Sequence, residues 1–313
     1  MAQPTDTFDS YDAVGAREDL SDIITTVSPE ETPFFSKSGK GKATNALHEW
    51  QTDALRPSGS NAHIEGDDTA ASARTATVRL NNYTQIIKDG VSVPDSDDTT
   101  NKAGRNKDLD YQVQKAVKEL RLDLESALLA NNAKVAGSST VAREMGGVPS
   151  YMVTNVSGGA TATEATGNGV DARVAGTGRA LTQTIFDGVM QDIWTAGGRP
   201  DACYTNATQM AVVTTFTGSN NARATIDGAK TKVINAVDVY MTPWGTVEFY
   251  LNREMATDTM FIMQSDKWKV AEKRPFVRTT LAKTGDSTKV QIVGEQTLVS
   301  MNDKASGAIY DLT

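Results

Sequence analysis

The residues of this 313-residue chain whose types could do chemistry are few: two histidines, His48 and His63, one cysteine, Cys203, and short clusters of glycine with lysine or aspartate. A general base needs a rigid, partly buried setting. Both histidines fall in or beside a strand-like excursion with a polar tip, and His48-Glu49-Trp50 continues without the second histidine of a His-Glu-x-x-His zinc site. Cys203 has no identifiable base partner and reads as a core thiol; no Gly-x-Ser-x-Gly elbow occurs. Lys37, Lys40 and Lys42 alternate with Gly39 and Gly41, but a phosphate loop requires Ser or Thr after its lysine, and Ala43 stands there. Asp95, Asp97 and Asp98 suggest a calcium loop until Thr100 takes the place of the turn glycine and Asn106 that of the distal glutamate. Gly167, Gly169 and Ala172 imitate a dinucleotide fingerprint with no hydrophobic strand leading in. The reading is of a chain without catalytic, cofactor-binding or metal-binding residues; a soluble hydrolase stays open as the rival, because any two of 39 acids can meet in space.

Composition points the same way. A net charge of −8 and a pI near 4.9 argue against a protein that grips nucleic acid through clustered cations. One cysteine excludes a disulfide framework within the chain and suits a reducing compartment. A polar, acidic start and the lack of any long apolar run predict a cytosolic product with no membrane partner.

The elements that must position these residues begin with the stretch from Asn106 to Asn131. Leu109, Val113, Ala116, Val117, Leu120, Leu124, Ala127 and Leu128 recur at steps of three and four, with Lys115, Lys118, Glu119, Arg121, Asp123 and Glu125 around the rest of the circumference. This is an amphipathic helix of roughly 38 Å, capped by Asn106 and ended by Asn131-Asn132, long enough to be the spine of a flat domain. Before it, residues 1–36 read as an arm: Phe8 and Tyr11, a short helical pattern from Ala13 to Ile24, then Pro29 and Pro33 leading to Phe34-Phe35. Those two rings need a pocket, either on their own domain or on a neighbouring subunit. Thr44 to Pro94 goes out and back, with Leu47 and Trp50 on one limb, alternating Ala76, Val78 and Leu80 on the other, and a Pro-, Ser- and Gly-rich tip. A limb of some 15 residues reaches roughly 50 Å. The alternative is two strands of an ordinary sheet joined by a loop.

Downstream, residues 133–180 read mostly as loop. Leu181, Ile185, Phe186, Val189, Met190, Ile193 and Trp194 share one face of a second helix stopped by Gly197-Gly198; a short strand, Asp201 to Thr205, precedes a third helix capped by Asn206. From Val233 the chain is a run of strands, with turns at Pro243-Trp244-Gly245 and Thr284-Gly285-Asp286-Ser287. The class is α+β.

This order of parts resembles the major capsid proteins of tailed bacteriophages, which share the Hong Kong 97-type fold. The wording that carries the likeness is Tyr11-Asp12-Ala13-Val14-Gly15-Ala16-Arg17-Glu18-Asp19-Leu20, then Ser28-Pro29-Glu30-Glu31-Thr32-Pro33-Phe34, then Glu49-Trp50-Gln51-Thr52-Asp53 before Leu55. The resemblance implies a structural protein that self-assembles into hexamers and pentamers of an icosahedral shell around double-stranded DNA, within the host bacterial cytoplasm, with portal, scaffold and decoration or cement proteins as partners. It implies an N-arm at 1–36, an E-loop ribbon at 37–94, a P-domain at 95–174 with its spine helix at 106–131, an A-domain at 175–265, and closing strands at 266–313 that return to the P-domain. Tyr11, Phe34, Phe35, Trp50 and Leu55 are the expected contacts between subunits. Because the arm wording begins near Met1, no scaffold segment ahead of it is expected. An encapsulin-like nanocompartment, built on the same fold, stays open beside the phage reading.

Overall fold

The computed structural model describes residues 31–313 apart from 57, 69–70, 72, 101–106 and 217–238. The expectations for Phe8, Tyr11, the Ala13 to Ile24 pattern, the Asn106 cap and the strand start at Val233 lie outside the described residues.

The described chain starts with a short helix, α1 (Pro33–Lys37), and strand β1 (Gly39–Lys42). Then come β2 (Leu47–Thr52), β3 (Val78–Tyr83), β4 (Gln85–Pro94), a single turn α2 (Asp95–Asp98) and the spine helix α3 (Asp108–Leu129). A loop-rich stretch holds only α4 (Val148–Tyr151) and β5 (Val156–Ser157), before α5 (Gln183–Thr195), β6 (Ala202–Thr205) and α6 (Ala207–Val213). The chain closes with β7 (Val239–Thr242), β8 (Gly245–Leu251), β9 (Met260–Met263), β10 (Trp268–Thr280), β11 (Ser287–Ser300) and β12 (Gly307–Ile309).

These strands make two bodies and a ribbon. The first sheet has the order β1-β10-β11-β4, and the second β5-β12-β9-β6-β8-β7. Helix α3 lies across β4 and β11, burying Val113, Ala116, Leu120, Leu124 and Leu128 against Ile87, Val290 and Ile292. Helix α5 covers the second sheet with Phe186, Val189, Met190 and Ile193. Its start is fixed by Thr182, whose hydroxyl accepts from the Ile185 N–H, and its end by Gly197 at φ +94°. Asn206 caps α6 in the same way, accepting from the Thr208 N–H. Cys203 is buried in this second core, and burial pushes its thiol well up.

Several expectations change. The spine helix runs 108–129 rather than 106–131, and Glu125, assigned to the polar circumference, is fully buried. Trp194 turns outward, 56% exposed, because it follows the fully buried Ile193 by about 100° of helix rotation. The paired ribbon is only six residues long, from Leu47↔Tyr83 to Thr52↔Val78, or about 20 Å. Its return limb ends at Thr84, whose N–H donates to the Ala46 carbonyl at 2.8 Å; beyond it β4 pairs with β11 along ten residues. Residues 37–94 therefore do not form one excursion: β1 and β4 belong to the first sheet. Nor do residues 266–313 stay together, since β12 enters the second sheet beside β9 and β5. Between Glu272 and Val277 the β10 register shifts twice around Pro275, which has no N–H to give the ladder.

One glycine fixes how the start of α4 meets the end of the spine helix. A Cβ on Gly147 would stand 1.9 Å from the Ala130 carbonyl oxygen, at the C-cap of α3. Gly147→Ala is expected to destabilise the subunit by about 3 kcal/mol, because backbone, not a side-chain tip, must yield. A denaturant titration reads this as a lower midpoint.

Candidate assembly surfaces

The ribbon is rooted in its own subunit and bare at its tip. At the root, Trp50 is half-buried against Tyr151, and its indole Nε1–H donates to the Ser300 carbonyl at 2.6 Å. Past Thr52 and Val78 the pairing stops, and every described residue from 53 to 77 is exposed. Leu55 is 98% exposed and Ile64 85%. Burying a Leu or Ile side chain is worth about 1.5–3 kcal/mol, so this tip leaves stabilisation unused within its own chain.

A second open surface is one end of the first sheet, on the face opposite α3, where Ile86, Lys88, Arg274 and Val277 are exposed around the buried Glu295. Residues 87, 89, 91 and 93 of β4 face the helix, and Arg278, paired with Ile292, reaches Asp110 of α3 on that side at 3.2 Å. The alternate set faces away. Across β10, β11 and β4 it aligns Val277, Val293 and Lys88 in one row and Arg274, Glu295 and Ile86 in the next. Val277 and Ile86 are both exposed there, on the two strands that flank β11 and in neighbouring rows, with Arg274 and Lys88 as cationic neighbours.

Three buried carboxylates tie the parts into a rigid unit. Glu295 accepts from the Thr84 hydroxyl at 2.6 Å, Arg143 Nη2 at 2.7 Å, and Lys273 Nζ and Arg274 Nε at 3.0 Å each. Burial pushes its carboxyl up, but the Thr84 and Lys273 hydrogen bonds and the Lys273 charge more than offset this and hold it below the usual range. The ribbon root, the 143 loop and the closing strands thus meet at one group. Asp311 holds Arg173 through both oxygens, with Nη1 to Oδ1 at 3.0 Å and Nη2 to Oδ2, and also accepts from the Gly159 and Gly176 N–H groups. Glu164 takes Arg173 Nε at 2.9 Å, and the guanidinium covers the Tyr310 ring at 4.3 Å. The Arg173 hydrogen bonds hold the Asp311 carboxyl down at about 2. Glu125 accepts the Phe34 and Phe35 N–H groups at 2.8 Å each and the Asn252 amide at 2.6 Å, joining arm, spine and the end of β8.

The five expected contact residues divide accordingly. Tyr11 lies outside the described residues. Phe34 is completely buried in its own core, edge-on to Tyr204 at 5.5 Å, so the first of its two pockets is the one it fills, and its side chain is not an intersubunit contact. Phe35 is half-buried, with Lys40 Nζ 3.3 Å from its ring centre. Trp50 works mainly as a tether of the ribbon to its own body, and Leu55 alone stands free. The three carboxylate hubs were not singled out from sequence. Glu125 carries a faint signal, since it lies four residues before the buried Leu129 and beside Leu124; the Arg173–Asp311 pair, 138 residues apart, carries none.

The chemistry available to these groups is adhesive. Their carboxylates already accept three or four hydrogen bonds each, leaving little capacity for a substrate. His63 bonds Asp67 and Asn61 in the exposed tip, and His48 lies tilted against Trp50, where burial pushes its imidazole down. Among the described residues no group of three or more His, Cys, Asp or Glu side chains is placed to hold a metal ion.

Comparison with known proteins agrees with an architecture built for assembly. The chain is 30% identical to the major capsid protein of Escherichia phage Phieco32 over 349 residues, covering 99% of this chain and 98% of that one. Similar folds include the capsid asymmetric unit of cyanophage A-1(L), with TM-score 0.66, 15% identity, and 97% and 98% of the two chains covered. The capsid of a native GTA particle matches with TM-score 0.64 at 8% identity over 97% and 98%, and a Microbacterium phage Oxtober96 chain with 0.62 at 12% over 95% and 96%. At these identities the structures show a shared fold, of the Hong Kong 97 type. The SU10 major capsid protein family matches residues 3–313, and the chain belongs to that family.

Proposed function

We propose that this chain, a structural subunit of a phage capsid, assembles into the hexamers and pentamers of an icosahedral shell, with its ribbon tip lying on the first sheet of an adjacent copy. The observation that carries this reading is the bare tip. Every described residue from 53 to 77 is exposed in its own subunit, Leu55 and Ile64 among them. On the first sheet, Ile86 and Val277 stand exposed as apolar side chains of the same chemistry. The arm that enters at Pro33 clasps a second neighbour. In this reading the second body, from α5 to β9, surrounds the capsomer axes and the shell encloses double-stranded DNA, for which a net charge of −8 suits a wall that does not hold phosphate. Assembly in the host cytoplasm with scaffold, portal and cement proteins follows from the same reading.

The single buried cysteine makes this testable. Leu55→Cys adds one accessible thiol to a chain whose own thiol is enclosed. The expected result is rapid labelling of the free subunit by a bulky maleimide and at least tenfold slower labelling in assembled particles. Equal labelling rates in both states would remove the tip from the interface.

A further inference from the structure

Glu125 interrupts the buried face of the spine helix with a carboxylate, and what it touches is unusual. Its two oxygens accept the consecutive N–H groups of Phe34 and Phe35, in the first turn of α1, where a helix has no acceptors of its own. Thr32, at the position that would ordinarily cap this helix, makes no such bond with its side chain. The cap is therefore supplied by another element, 90 residues away. The same oxygen that serves Phe34 also takes the Asn252 amide. With Pro33 fixing the backbone just before, this grip sets the direction in which the chain leaves towards residue 32.

The charged and titratable groups around this carboxylate are not direct partners of it. Lys40 of β1 donates to the Phe35 carbonyl and lies against the Phe35 ring, acting on Glu125 only at longer range. Tyr204 of β6 packs on Phe34, and Lys37 is engaged with Tyr250 and Glu248 of β8. On α3 itself Arg121 and Asp123 are exposed. The carboxylate is thus held by three neutral donors.

We propose that Glu125 is the positioning residue of the arm, a latch that holds the arm root when ionised and lets it go when protonated. The geometry gives the reason. An ionised carboxylate accepts at both oxygens, whereas a carboxylic acid turns one oxygen into an O–H donor, and the partner facing that oxygen is itself a donor, the Phe34 or Phe35 N–H. One of the two backbone bonds is then replaced by a donor–donor clash. Burial pushes the Glu125 carboxyl up while the Phe35, Phe34 and Asn252 hydrogen bonds pull it back, so letting go of the two backbone bonds with the carboxyl still enclosed against α3 favours its protonated form, and protonation in turn favours the open latch. The sign of the linkage keeps this local: a carboxyl raised on folding takes up its proton more readily folded than unfolded, so acidification does not unfold the body through this group. The significance for the shell rests on the assembly reading above.

Amide hydrogen exchange on the full-length subunit tests the latch, with rates corrected for the intrinsic effect of pH. In the native protein the Phe34 and Phe35 amides are expected to be protected at neutral pH and to exchange at least about tenfold faster under mild acid, while amides in the middle of α3 stay protected. Glu125→Gln is expected to show the fast rate at every pH, with a flat profile, and to form shells less efficiently than the native chain. Native protection that does not change with pH overturns the latch, and requires no variant to fold. So does a folded Glu125→Gln subunit with native protection. Failure of the native chain itself to assemble would count against the assembly reading and leave the exchange result standing.

Discussion

Arg173→Ala is expected to cost the subunit about 3–5 kcal/mol, the largest effect of any single substitution outside the apolar core. The change removes the guanidinium that neutralises Asp311 and Glu164, leaving Asp311 charged and almost wholly enclosed at the end of the chain. It also strips the cation from the Tyr310 ring and cuts the 164 loop from the C-terminal segment, leaving Asp311 held only by the Gly159 and Gly176 N–H groups. Urea unfolding of the subunit measures the loss. Asp311→Asn should be milder, because the amide keeps one acceptor and no charge is stranded. The pH dependence has a definite sign: with the Asp311 carboxyl depressed to about 2, its stabilisation is complete above the ordinary aspartate value near 4 and fades as pH falls towards 2. A native subunit that loses no stability across that interval, or an Arg173→Ala variant within about 1 kcal/mol of native, would show that the junction is not what holds the loops.

The second large effect separates folding from assembly. Replacing residues 53–77 by a two-residue Asn-Gly turn joins Thr52 to Val78, which already pair directly, so the shortened hairpin keeps its register. The root stays fixed by Trp50 on Ser300 and by Thr84 on Glu295. The subunit is expected to unfold at nearly the native midpoint, since no described residue it loses is buried. Shells are expected to disappear. Each tip contact is modest by itself, but in a closed lattice every subunit both gives and receives one, and the loss multiplies through the effective concentration that the other contacts create. Velocity sedimentation of the two chains side by side reads both outcomes. Normal particles from the shortened chain would show that the ribbon does not cross to a neighbour, and a lowered midpoint would show that the tip serves its own fold.

What was legible in the sequence follows from the range of the forces involved. Helices α3 and α5 announce themselves because burying one stripe of a helix imposes a period of three to four on neighbouring residues. Local chemistry also marks the Thr182 to Gly197 segment, the Asn206 cap and the β7–β8 turn at Pro243-Trp244. The handover at Thr84 is different. Ile86 and Ile87 look like a continuation of the ribbon's return limb, and only a partner 200 residues later, β11, draws them into the first sheet. Glu295 and Asp311 look like surface acids until distant arginines and lysines close over them. Phe34 was open to two readings because the pocket that receives it is built by Tyr204 and the spine helix, neither of which is near it in sequence. The exposure of Leu55 was legible for the opposite reason. Leu55 in a polar, turn-rich stretch has no local use, and the fold provides none.

The subunit is, on this proposal, incomplete alone and becomes complete in a shell. Negative-stain electron microscopy of the purified chain, with light scattering over a range of concentrations, tests it most directly. Hollow shells or ring-shaped capsomers, growing with concentration, are the expected result. A monodisperse monomer at every concentration, with the amides of residues 53–77 as protected from exchange as those of the spine helix, would contradict it, because the tip would then have found its partner within its own chain.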